Sequence, residues 1–96
     1  MRGYQVVAST RRAMGRVVEV KQGYLIVESG RMRKLRRPVP REFVHVLDGA
    51  ATAFVTVPRR ILQDAPGVDR RGNFDLRRAA LHYGLADAAY EQVRED

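Results

Sequence analysis

The chain has no cysteine, no tryptophan and only two histidines, and nowhere does it approach the run of about 20 apolar residues that a membrane-spanning helix needs. Each absence removes a class of function. Without cysteine there is no disulfide framework, no thiolate metal site and no thiol nucleophile. His45 and His82 stand 37 residues apart, and neither has a second ligand at metal-binding spacing on its own element. Ser9 and Ser29 lie in no nucleophile-elbow context, and no glycine-rich loop follows a strand to cradle a phosphate. The expectation is a protein that is not an enzyme and needs no metal or cofactor. Met1 to Thr10 lacks the apolar stretch of a secretory signal, so a cytoplasmic protein without a membrane anchor is expected.

What is present is charge, and it is unevenly spread. Ninety-six residues, 45% of them hydrophobic and 30% charged, make one globular domain with a single core. Residues 1–40 carry eight Arg and two Lys against Glu19 and Glu28, a balance of +8; residues 41–96 carry eight Arg against nine acids, a balance of −1. Such asymmetry favours polyanionic partners. An arginine excess of sixteen to two over lysine, with five Arg-Arg doublets, is equally consistent with a GC-rich coding sequence.

The periodicity is that of short strands. Tyr4 to Ser9 is β-prone and is expected at an outer position. From Met14 to Val20 the even residues Met14, Arg16, Val18 and Val20 are expected to face inward. Lys21-Gln22-Gly23 forms a three-residue connection to Tyr24–Glu28, in which Leu25 and Val27 share one face and Tyr24 and Ile26 the other. That strand needs cover on both sides, from the C-terminal segment or from another copy. Arg31 to Arg37 has no apolar face and suits an edge strand, while Pro38 and Pro40 should end regular pairing. Beyond them come a helical turn at 41–44, a short strand at 45–47, a hairpin signal at Asp48-Gly49 and a strand at 51–57. In the last, Ala53, Val55 and Val57 oppose Thr52, Phe54 and Thr56. PRRILQD reads as a helical turn. Leu76, Ala79, Ala80 and Tyr83 give a helix capped by Asn73 or Asp75 and stopped at Gly84, and Leu85, Ala89 and Val93 give a second. The fold class predicted is mainly β: a small curved barrel of five to six strands over residues 1–57, with a helical segment over 58–96 packed on it as part of one domain.

Two groups of residues are candidates for binding. Arg31, Arg33, Lys34, Arg36, Arg37 and Arg41 could pair with phosphate oxygens, although no aromatic side chain is interleaved to stack a base, so contact there would be largely blind to sequence. The same residues read equally as a solvated edge. Tyr24 and Ile26 could form a protein interface, for instance of a homodimer, or could be covered by the chain's own helices.

MGRVVEVKQGYLIVESG, then RPVPREFVHVLDG, FVTVPRRILQDAP and HYGL, together spanning Met14 to Leu85, resemble in order and spacing the PRC-barrel family. The resemblance implies a small, highly curved β-barrel that docks onto larger assemblies. Domains of this family occur in the photosynthetic reaction centre H subunit and in the ribosome maturation factor, where they engage membrane-embedded subunits and a ribosomal protein respectively. Many members stand alone and self-associate, and the family shares no catalytic residues. The expected role is therefore an adaptor docking onto a protein partner or itself. The alternative is a nucleic-acid or ribosome-associated binder using residues 31–41, and a weaker third reading is peripheral contact with anionic lipid.

Overall fold

A computed structural model describes residues 1–9, 12–30 and 32–85. Arg31 and the expected second helix with Ala89 and Val93 lie outside the described residues. Six strands, β1 (Gln5–Val7), β2 (Ala13–Lys21), β3 (Tyr24–Ser29), β4 (Leu35–Pro40), β5 (Val44–Leu47) and β6 (Thr52–Val55), are followed by two short helices, α1 (Arg59–Gln63) and α2 (Leu76–His82). The strands form one sheet in the order β4-β3-β2-β1-β6-β5. All pairs are antiparallel except β1 with β6.

The order and the connections together force curvature. β4 and β5 are the two ends of the sheet, yet only the 3₁₀ turn Arg41–Phe43 joins them. Six strands laid flat would set the ends about 24 Å apart, from five spacings of about 4.8 Å. Four Cα steps reach at most about 14 Å. The sheet therefore rolls until its ends meet at one corner, where Phe43 O accepts the Thr56 N–H at 2.8 Å. It stops short of a closed barrel, because β4 and β5 do not pair.

Val6, Val17, Leu25, Val27, Val39, Ala53 and Val55 fill the inside of the roll, each at most 7% exposed. Leu62 of α1 joins the same cluster. The Ala53 and Val55 face is the one expected. The β2 face is not: Val17 is buried and Arg16 exposed, the reverse of the even-inward expectation. A bulge explains it. Val17 pairs with Val27 and Glu19 with Ile26, so Val18 is an extra residue and the alternation changes phase there. The unpaired Val18 carbonyl is taken by Arg2 Nε at 2.9 Å.

Three other expectations change. β1 lies between β2 and β6 rather than at an edge, because its pairing with β6 comes from the far end of the strand succession. The β2–β3 turn has two residues, since Lys21 pairs with Tyr24 and both Gln22 (φ 53°) and Gly23 (φ 81°) are left-handed, the geometry of a primed hairpin turn. Pro38 and Pro40 do not end pairing: they sit opposite Ile26 and Tyr24 in β4, with both rings buried. β4 is an edge, so a missing N–H on its outer side costs nothing. Its outward carbonyls are occupied, Arg36 O by the Val68 N–H at 3.0 Å and Pro38 O by the Tyr83 hydroxyl at 2.7 Å.

Those two bonds belong to the cover over the sheet's second face. Residues 66–74 run across β4, β3 and β2 as a strap. Asp69 Oδ1 accepts the Arg71 and Asn73 N–H groups to shape it, Lys21 Nζ donates to Gly72 O and Asn73 Oδ1, and Phe74 packs edge-on against Tyr24 at 5.2 Å. α2 follows, its Asp75 side chain capping the Arg78 N–H as expected and its Ala79 fully buried. All of Tyr24, Leu25, Ile26 and Val27 are thereby buried, which meets the demand of β3 for cover on both faces.

Candidate binding surfaces

The cover settles where Tyr24 and Ile26 stand. They are 7% and 0% exposed, so neither offers a surface to a partner, and the strap and α2 take the place that a second copy would have filled. Tyr24 and Tyr83 both hold their hydroxyl protons more tightly than the ordinary value of 10.0, chiefly because burial disfavours the phenolate. Glu42 adds to the effect at Tyr24 and Tyr24 to that at Tyr83, where Arg37 partly opposes it.

A pH dependence follows. An unfolded tyrosine ionises near pH 10 while the folded one stays protonated, so the contribution of these two tyrosines to stability is full below about pH 10 and is lost as pH rises beyond it. Tyr83→Phe is expected to cost about 1 kcal/mol at pH 8 by removing the bond to Pro38 O. It should also flatten the alkaline decline. Urea unfolding of both proteins at pH 8 and pH 11 measures the two effects together.

The basic stretch does not form one patch. Alternation along β4 sends Arg36 and Arg37 to opposite faces. Glu28, opposite Arg36 in the ladder, binds its Nε at 3.0 Å and draws Lys34 to 3.7 Å. Arg33 lies exposed in the β3–β4 connection, and Arg41 is exposed in the 3₁₀ turn at the other end of β4. Arg37 is on the inner register with Val39, opposite Val27, where the roll opens towards α1.

β4 separates two clefts of different character. On the strap side, a cleft of about 320 Å³ is lined by Lys34, Arg36 and Arg70 together with Glu28 and Asp69, and Arg37 reaches its edge as well, so acids are present but do not outweigh the cations. On the α1 side, a cleft of about 590 Å³ is lined by Arg37 and Arg59 and, among the described residues, by no acidic side chain. Sequence reading placed Arg59 in a helical turn and nothing linked it to Arg37, 22 residues away. Only the docking of α1 against β4 brings them to one cleft.

A third surface is apolar. In the β5–β6 register His45 lies opposite Phe54 and Leu47 opposite Thr52, and Val7 of β1 lies beside Phe54 on the other flank. Ala53 is fully buried in the core and Val46 is paired with it on the inner register, so this set occupies the outer face. Leu47 is 53% and Phe54 38% exposed, next to the terminal strand of the sheet. The separation of Phe54 from the Ala53 face was visible in the alternation. That no described residue covers it was not.

Among the described residues no three His, Asp or Glu side chains gather as a metal site would require, and no helix is long and apolar enough to cross a membrane. No family model matches the chain, and no curated protein matches it.

Proposed function

We propose that this chain is a non-enzymatic, cytoplasmic adaptor of the PRC-barrel type, which docks through the outer face of β5, β6 and β1 onto protein, in the first instance onto a second copy of itself. The observation that carries the reading is the exposed pair Leu47 and Phe54 beside an end strand. Apolar side chains on the same face as an unpaired edge are a liability to a protein that stays alone, and a contact surface to one that does not. A two-fold axis along β5 would bring the same face of each copy together. The family assignment is supported by the placing of the motif pieces. Gly15-Arg16-Val17 lies in β2, Tyr24-Leu25-Ile26-Val27 in β3, Val39-Pro40 closes β4, Asp48-Gly49 opens the turn after β5, and Tyr83-Gly84 ends α2.

The nucleic-acid reading on residues 31–41 has less behind it, because Glu28 engages Arg36 and Lys34, Arg37 is on the opposite face of β4 from Arg36, and Arg41 lies beyond the far end of that strand. Sedimentation velocity between about 10 μM and 1 mM, the range of weak to moderate association, tests the docking reading. The wild type is expected to pass from monomer to dimer across that range, and Phe54→Glu to remain monomeric while folded. A wild-type monomer at the highest concentration counts against it.

A further inference from the structure

We propose that the cleft between β4 and α1 binds the phosphate group of a small phosphomonoester, held between the guanidinium groups of Arg37 and Arg59. Both side chains line the cleft, and in both the Nε atom is buried with no hydrogen-bond partner. That sets them apart from the basic residues nearby. Arg36 and Lys34 share Glu28, Lys21 is bonded to the strap, and Arg2 to the Val18 carbonyl.

A buried charged donor without an acceptor is costly, and two like charges facing one cavity add repulsion. An anion in the cleft relieves that repulsion. The two terminal nitrogens of a guanidinium offer a parallel pair of N–H donors matched to two oxygens of a carboxylate or phosphate.

Charge selects between those anions. Two guanidinium groups supply +2, and among the described residues lining the cleft there is no carboxylate. A phosphomonoester carries about −1.5 to −2 at neutral pH, whereas a carboxylate or a phosphodiester carries −1 and would leave one arginine uncompensated. Ser29 and Gln63 add neutral polar groups at the rim, and Met14 and Leu35 give the ester's organic body an apolar wall. A volume of about 590 Å³ admits a phosphate with a small attached group. The site is separate from the Leu47 and Phe54 face and does not depend on that face being a docking surface.

Calorimetric titration of the whole protein in phosphate-free, low-salt buffer tests this, with phenyl phosphate, inorganic phosphate, dimethyl phosphate and acetate as probes. Phenyl phosphate and inorganic phosphate are expected to bind saturably, and dimethyl phosphate and acetate at least about tenfold more weakly. Arg37→Gln and Arg59→Gln should each weaken phenyl phosphate binding by about tenfold or more, and Arg36→Gln should not. The thermal midpoint without ligand should be unchanged or raised in the two cleft variants, because each removes a buried Nε–H that has no partner. Absence of saturable binding, or equal affinity in the variants, overturns the proposal. So does dimethyl phosphate binding as well as phenyl phosphate, which would turn the cleft towards a polynucleotide backbone. A marked fall in the midpoint of either variant overturns it too, since its guanidinium would then have its partners within the fold.

Discussion

Ile26→Glu is expected to unfold the protein or leave it with little stability. Ile26 is fully buried, between Glu19 of β2 and Pro38 of β4 in the ladder, on the face that the strap crosses. A carboxylate there would be buried, with the like charge of Glu19 opposite it in the ladder. An uncompensated buried charge costs about 3–5 kcal/mol, a large part of the 5–15 kcal/mol that holds a domain of this size together. Ile26→Val, which removes one methyl group, should cost about 0.5–1.5 kcal/mol. Leu47→Glu, on the exposed apolar face, should change stability by about 0.5 kcal/mol or less. Chemical denaturation of the three variants ranks them. If Ile26→Glu proves as mild as Leu47→Glu, the strap does not cover β3.

Gly15→Ala is expected to be the most damaging single-methyl change in the chain. The backbone at Gly15 has φ +147°, and a Cβ there would collide with the Glu28 carbonyl oxygen and carbon on β3. Neither is the tip of a flexible side chain, so relief requires β2 and β3 to move apart at the centre of the sheet. Backbone strain and overpacking each contribute about 1–3 kcal/mol, for a sum of about 2–6 kcal/mol. Gly23→Ala is the control: its φ is +81° but no atom lies within 4 Å of the added methyl, so only the conformational penalty of about 1 kcal/mol applies. In thermal melts, 1 kcal/mol corresponds to about 4–8 °C for a domain of this length, so the two variants should separate by at least about 4 °C. Equal melting temperatures would mean that β2 and β3 approach less closely at Gly15.

The contrast between these variants follows what was and was not legible in the chain. Local signals read well. The β2–β3 hairpin, the Ala53 and Val55 face, the Arg41–Phe43 turn, the Asp75 cap and the stop at Gly84 each depend on residues within a few positions of one another. What failed to show in the sequence was non-local. The bulge at Val18 is a relation between two strands, and it reverses the inward face of β2 without leaving any mark in the alternation. The place of β1 depends on β6, some 47 residues on. Pro38 and Pro40 suggested a break because proline denies a donor. Whether the lost donor faces a neighbouring strand or the outside depends on register, and here it faces outside.

The binding candidates divide in the same way. A run of cations at 31–41 was plain to see, but strand alternation and a single acid, Glu28, disperse it. Tyr24 and Ile26 were rightly read as needing cover, and the C-terminal segment supplies it. The sites that remain, Leu47 with Phe54 and Arg37 with Arg59, arise from strand register and from the docking of α1 respectively. Neither pair is close in sequence.

The docking face is tested most directly by amide hydrogen exchange, followed residue by residue in dilute and in concentrated solution. If a second copy seats on the outer face of β5 and β6, the amides of Val44–Leu47 should exchange more slowly at high concentration, with those of Tyr24–Ser29 and Leu35–Pro40 unchanged. Exchange in Val44–Leu47 that is independent of concentration, or new protection confined to β3 and β4, would contradict docking through that face.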